Sequence, residues 1–164
     1  MAIKVTNAEV WEAWPALQRL LELSGTESER WSAQLSYRFA KLGRRLREEY
    51  VLIKQGQDRL IRIHGEKQPN DQFAIGPTME GWTEYMARFN EILSDEAEIE
   101  SRVIPLPNQE DLPEEKRLHI PPILLLALLP FVEAPDEWLD DADERGCGEG
   151  AEVAPGAPHL VAVH

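Results

Sequence analysis

Trp31, Leu35, Phe39, Leu42, Leu46 and Ile53 recur at spacings of four, four, three, four and seven residues, and Tyr50 and Leu60 extend the same stripe. A stripe of this period marks a helix that presents one apolar side to another helix along its length. The spacing predicts a helix from about Glu27 to Ile63, with Gly43 and Gly56 as interior weak points, roughly 50 Å long at about 1.5 Å per residue. So long an apolar stripe has to be covered. Within 78–97, Trp82, Tyr85, Met86, Phe89, Ile92 and Leu93 fall at i, i+3, i+4, i+7, i+10 and i+11, which predicts an amphipathic partner and an antiparallel helical hairpin. The connection between them carries Gly65, Pro69, Asn70, Asp71, Gly76 and Pro77 and is expected to be a loop.

Ahead of the hairpin, Ile3 to Thr6 alternates apolar and polar side chains as a short strand does, and Thr6 with Glu9 has the spacing of a capping box. A further helix is expected from near Asn7, with Val10, Trp14, Leu17 and Leu21 on its apolar side. Pro15 predicts a kink or restart at Trp14, Ser24-Gly25 an end, and Thr26 to Glu29 a second capping box that starts the long helix. After the hairpin, Glu98 to Ile104 reads as a strand able to pair with Ile3 to Thr6, and Arg117 to Ile120 as a short third strand. Pro121 or Pro122 then opens a short buried helix in the apolar run that ends at Val132. The expected fold is mainly α: a long antiparallel helical hairpin, an additional N-terminal helix and a small two- or three-stranded β element in one domain, residues 1–133. Residues 134–164, acidic and rich in Gly, Ala and Pro, are expected to be a disordered tail.

The net charge of −13 is unevenly spread. Residues 27–67 hold ten bases against six acids, whereas 78–115 hold eleven acids against Arg88 and Arg102, so attraction between these segments within one fold is expected. No apolar run is long enough to span a bilayer, which argues against a membrane protein, and the first residues do not have the form of a secretory signal, so cytoplasmic synthesis is expected. The single Cys147 excludes an intramolecular disulfide, and one Cys with four scattered His residues lacks the spacing of a zinc site.

Groups suited to catalysis are scarce. Gly146-Cys147-Gly148-Glu149-Gly150 neither follows a strand nor precedes a helix, so it is not a phosphate-binding loop. His64 beside Gly65 suits the negative end of the long helix better than an active site, because no nucleophile, metal ligand or orienting third group accompanies it and Glu66. His119 reads as structural or exposed. Glu48 and Glu49 are neighbours on a helix that point different ways and form no carboxylate dyad. The chain is therefore expected to be no enzyme, with no catalytic residues, cofactor or metal. Arg38, Lys41, Arg44, Arg45 and Arg47, with Tyr37, form the strongest basic patch, but the acidic total argues against a nucleic-acid partner.

The order of segments resembles a set of small, mostly uncharacterised tailed-bacteriophage proteins of helical-hairpin type. The resemblance is carried by the short first strand, Trp-Pro-Ala-Leu-Gln-Arg-Leu at 14–20, and Leu-Ser-Tyr-Arg-Phe-Ala-Lys-Leu-Gly-Arg-Arg-Leu-Arg-Glu-Glu-Tyr at 35–50. Leu-Ile-Arg-Ile-His-Gly-Glu at 60–66, Phe-Asn-Glu-Ile-Leu at 89–93, Glu-Ile-Glu at 98–100 and Leu-Leu-Pro-Phe-Val-Glu at 128–133 complete it. It covers residues 1–133 and implies a phage origin, with no functional residue to carry over. The expected function is that of a virion or assembly accessory factor acting through protein partners, a phage structural protein or a second copy of the chain, along apolar edges around Trp82 and Leu124. Its expected place is the host cytoplasm or the virion. The competing expectation is an acidic inhibitor of a host polymerase, nuclease or defence complex that imitates DNA with Glu91, Glu96, Glu98 and Glu100.

Overall fold

The computed structural model describes residues 1–27, 29–139 and 161–163. The chain is mainly α with small β elements and divides into two compact units, each described on its own: residues 1–50 with 96–149, and 51–95 with 150–164.

In the first unit, β1 (Ile3–Thr6) leads directly into α1 (Asn7–Thr26). The Thr6 hydroxyl accepts from the Glu9 amide at 3.3 Å and the Glu9 carboxylate accepts from the Thr6 amide at 2.7 Å, the expected capping box, worth about 1 kcal/mol to a helix start. α1 continues through Pro15 without a restart and past Gly25. The Ser24 and Thr26 hydroxyls donate back to the carbonyls of Leu21 and Leu23, so they extend the helix, and Thr26 does not cap the next one. That role falls to Ser32, whose Oγ accepts from the Leu35 amide at 3.1 Å ahead of α2 (Ala33–His64). The long helix thus begins six residues later than the sequence predicts.

The first half of α2 buries Leu35, Phe39, Leu42 and Leu46, as its seam requires, with Trp31 edge-on to Phe39 just before the helix starts. α1 covers that seam. At Gly43 the helices approach until a methyl group there would sit 3.4 Å from Leu17 and 3.6 Å from Leu21 and Trp14, and Tyr50 stacks on Trp11 with ring centres 4.8 Å apart. The short α4 (Pro122–Leu128), with proline in its first turn as expected, packs on α1 and buries Leu124, Leu125 and Leu128.

β4 (Glu96–Ile99) pairs antiparallel with β1, Ile3 opposite Ile99 and Thr6 opposite Glu96, and buries Ala97 and Ile99. The strand expected over 98–104 is cut short because the Ser101 amide turns back onto the Ile99 carbonyl at 2.7 Å. Ile104–Pro105 forms a separate strand, β5, parallel to β6 (Val132–Glu133). The third strand expected at Arg117–Ile120 does not form. The Gln109 side chain takes the partner's place, accepting from the Leu118 amide at 3.0 Å and donating to its carbonyl.

The second unit contains α2 from Val51 onward, β2 (Glu66–Lys67), β3 (Phe73–Ile75) and α3 (Trp82–Ser94). α3 runs antiparallel to this part of α2: Gly81 lies against the His64 carbonyl, Tyr85 beside Gln57 and Ile92 beside Gly56. This is the expected hairpin, although its second helix is shorter than predicted. Ile61, four residues beyond Gln57, is buried, and the expected Leu60 is only half-buried. The connection is a β-hairpin and not a plain loop. Asp71 takes a left-handed φ of 62°, Asn70 accepts from the Gln72 amide, and β2 pairs with β3. β3 pairs on its other side with β7 (Val161–Val163). Most of the expected tail, 140–160 and 164, lies outside the described residues. In its described part, residues 136–139 are helical and Trp138 is buried, donating to the Pro107 carbonyl at 3.2 Å.

The glycines make opposite predictions. Gly43→Ala adds a methyl group at ordinary contact distance and removes backbone freedom from a helix interior, so it raises unfolding free energy by about 0.5–1 kcal/mol in urea titrations. Gly81→Ala drives a Cβ into the His64 backbone carbonyl and lowers it by on the order of 3 kcal/mol.

Candidate functional site

The outer side of α1 and the adjoining α4 forms an open surface with exposed apolar side chains. α1 buries Val10, Ala13, Ala16, Leu17 and Leu20, which leaves Glu12, Pro15 and Arg19 exposed and Ala8 and Leu23 half-buried. In α4, burial of Leu124 and Leu125 turns Ile123 and Leu126 outward, at 74% and 55% exposure. Leu124, expected at an open edge, is only 6% exposed, because its position in the helix directs it onto α1. The exposed edge is carried by its neighbours, which an apolar run without polar interruptions could not separate from the buried set.

Two shallow hollows flank Ile123. One, of 550 Å³, lies between Pro15, Ala16 and Arg19 of α1 and Leu126 of α4, and the other, of 330 Å³, lies between Arg19, Leu23 and Pro121. Both also touch Leu124. Both are lined largely by apolar side chains, with Glu12, Arg19 and Glu22 as the charged members. A third cavity, 410 Å³, lies beside Trp138 and is lined by Glu114, Arg117, His119 and Glu137 among others. The Glu137 carboxylate accepts from the Gln109 amide at 2.6 Å, so that group already fastens the surrounding loop.

The other expected site residues are distributed as follows. Arg38, Lys41 and Arg45 share one side of α2, with Arg44 close by. Arg47, nine residues beyond Arg38, projects about 180° from it, so the five bases do not form one patch. Arg44 pairs with Glu48 at 3.7 Å, and Arg45 with Glu48 at 3.3 Å and Glu100 at 3.5 Å. Arg45–Glu100 is the one ion pair among the described residues that joins the basic and acidic segments. The rest are local in sequence or, as with Lys4–Glu98 at 3.7 Å, run across the β1–β4 ladder. Such exposed pairs contribute at most about 1 kcal/mol each, so charge attraction does not assemble the fold.

Glu96, Glu98 and Glu100 alternate with buried Ala97 and Ile99 and occupy one exposed side of β4 and its continuation, two of them already paired. Glu91 belongs to the second unit, where it pairs with Arg88 at 3.3 Å. Trp82 opens α3, half-buried against Tyr85 with ring centres 5.5 Å apart, which makes it more a core-edge residue than an open surface. Among the described residues no set of three His, Cys, Asp or Glu side chains is placed to hold a metal, and no helix is long and apolar enough to cross a membrane.

In comparisons with protein-family models, curated proteins and solved structures, nothing matches this chain.

The buried polar contact of the second unit is structural. Gln57, 6% exposed, donates from Nε2 to Tyr85 Oη at 3.1 Å and accepts from Lys54 Nζ at 2.9 Å. Burial holds the Tyr85 phenol above its usual 10.0, with the Gln57 hydrogen bond opposing and the Asp58 charge reinforcing the shift. The folded state therefore favours the neutral phenol. Its contribution is complete below pH 10.0 and is lost as pH rises through the higher folded value. Urea unfolding at rising alkaline pH shows a steeper loss of stability in the native chain than in Tyr85→Phe, which at neutral pH is weaker by about 1–3 kcal/mol through the unpaired Gln57 amide.

Proposed function

We propose that this chain is a bacteriophage protein that acts through protein–protein contacts and catalyses no reaction, as an accessory factor of the virion or of its assembly. Its place of action is the host cytoplasm or the virion itself. The observation that carries the reading is the open apolar surface of α1 and α4, where Ile123 and Leu126 stand out between two hollows. Exposed aliphatic side chains grouped beside apolar hollows are the usual composition of a protein-binding patch. The phage assignment is supported by the order of segments across residues 1–133 described above.

An acidic inhibitor of a host enzyme is the second reading, supported by the regular spacing of Glu96, Glu98 and Glu100 on one side of an extended segment. Glu98 and Glu100 are already neutralised in part by Lys4 and Arg45, which makes the apolar surface the stronger candidate.

The two readings separate in one experiment, recovery of the tagged chain from phage-infected cells with identification of its companions by mass spectrometry. Capsid, portal or tail proteins are expected, with recovery reduced at least about tenfold by Ile123→Glu. Recovery of a single host enzyme in equal amount, abolished by neutralising Glu96, Glu98 and Glu100 and indifferent to Ile123→Glu, would establish the inhibitor instead.

A further inference from the structure

The side of α1 that borders the hollows, with Glu12, Pro15 and Arg19 exposed and Ala16 buried beneath them, has a twofold pattern about the Pro15–Ala16 bond. Moving away from that bond in either direction, Pro15 mirrors Ala16, Glu12 mirrors Arg19 and Ala8 mirrors Leu23. These positions follow one another along the helix surface, and Ile123 of α4 rises beside them between the two hollows. We infer that this surface binds a second copy of the same chain, α1 lying antiparallel on α1 about a twofold axis through Pro15–Ala16. The inference rests on reading the α1–α4 surface as a protein-binding site, and it names the partner.

Three features select a second copy. First, antiparallel apposition sets each Glu12 against the partner's Arg19, twice by symmetry, and sets Ala8 against Leu23, whereas a parallel arrangement would stack Glu12 on Glu12 and Arg19 on Arg19. Second, Glu12 and Arg19 lie about 10 Å apart along the helix, too far to pair with each other. Neither takes part in an ion pair among the described residues, so both charges remain available. Third, the surface carries both a projection and a recess: Ile123 is 74% exposed and a 550 Å³ hollow adjoins it. A twofold axis brings the projection of each copy toward the recess of the other. α1, about 30 Å long, and the much shorter α4, about 10 Å long, each about 10 Å wide, offer on the order of 400 Å² per copy, the size of a weak, transient interface. A weak, rapidly reversible dimer that fills only at high concentration is the scale this area supports.

Sedimentation of the purified full chain over a range of concentrations tests this. A monomer–dimer equilibrium is expected. Ile123→Glu, at an exposed position, is expected to shift it to monomer. Glu12→Arg alone and Arg19→Glu alone each place like charges at both symmetry-related contacts and weaken the dimer at least about tenfold, while the double exchange restores it. Restoration distinguishes a specific antiparallel register from general stickiness, and circular dichroism verifies that each variant is folded. A chain that stays monomeric at all concentrations, a dimer indifferent to Ile123→Glu, or a folded double variant that fails to recover would overturn the inference. A monomer that captures phage structural proteins through Ile123 would overturn self-pairing alone and leave the proposed function standing.

Discussion

The apolar stripe of α2 is the constraint around which the remaining elements are arranged. A 32-residue helix with many charges has little stability in isolation, and most of what holds such a helix comes from burying one side against other segments. In the first unit this is done by α1, brought close at Gly43 and locked in register by the Trp11–Tyr50 stack. α1 is itself held at its start by the Thr6–Glu9 box and on its outer flank by α4. The strand pair β1–β4 follows from the same requirement, since it adds Val5, Ala97 and Ile99 to the core immediately before α1 begins.

In the second unit the buried row has its own regular spacing. Ile53, Gln57 and Ile61 are spaced by four, a row that turns about 40° around the helix at each step, whereas the seam of the first half mixes threes and fours. Placing Gln57 in that row requires a polar partner, and Tyr85 is the α3 residue positioned to provide it. The tight packing of Gly81 on the last turn of α2 has the same origin. Only a residue without a side chain lets α3 start close enough for Tyr85 to reach Gln57.

What the sequence made legible follows from these differences. The seam from Trp31 to Ile53, the Thr6 cap, the β1–β4 pairing and the proline-led α4 are each set by neighbouring residues or by a sustained period, so they are readable locally. The start of α2 was not, because Thr26–Glu29 and Ser32 both have capping chemistry and the choice depends on α1 continuing past Gly25. Ile61 was hidden because a glutamine interrupts the apolar row that leads to it. Strands of two or three residues, such as β2 and β3, are too short to show alternation. On the candidate surface, the run from Ile123 to Leu129 is apolar at every position, so which residues face outward is decided by the fit of α4 on α1 and not by any local pattern.

Pro15 bears on the outer surface in a further way. Within a helix interior proline removes an amide donor and crowds the preceding turn, at about 3 kcal/mol, yet α1 is continuous across it. The capping box, the buried residues from Val10 to Leu20 and the packing of α4 together offset that loss. Its side chain is exposed, so the residue contributes nothing to the core that holds α1 in place. What Pro15 does supply is a short, rigid apolar surface next to Ala16, flanked one turn away on either side by Glu12 and Arg19. A close approach by another helix needs small residues at the crossing point and opposite charges beyond it to set the register. Pro15, Glu12 and Arg19 are exposed here, with Ala16 buried beneath them, so the small residues and the charges lie on the one side of α1 that borders the hollows.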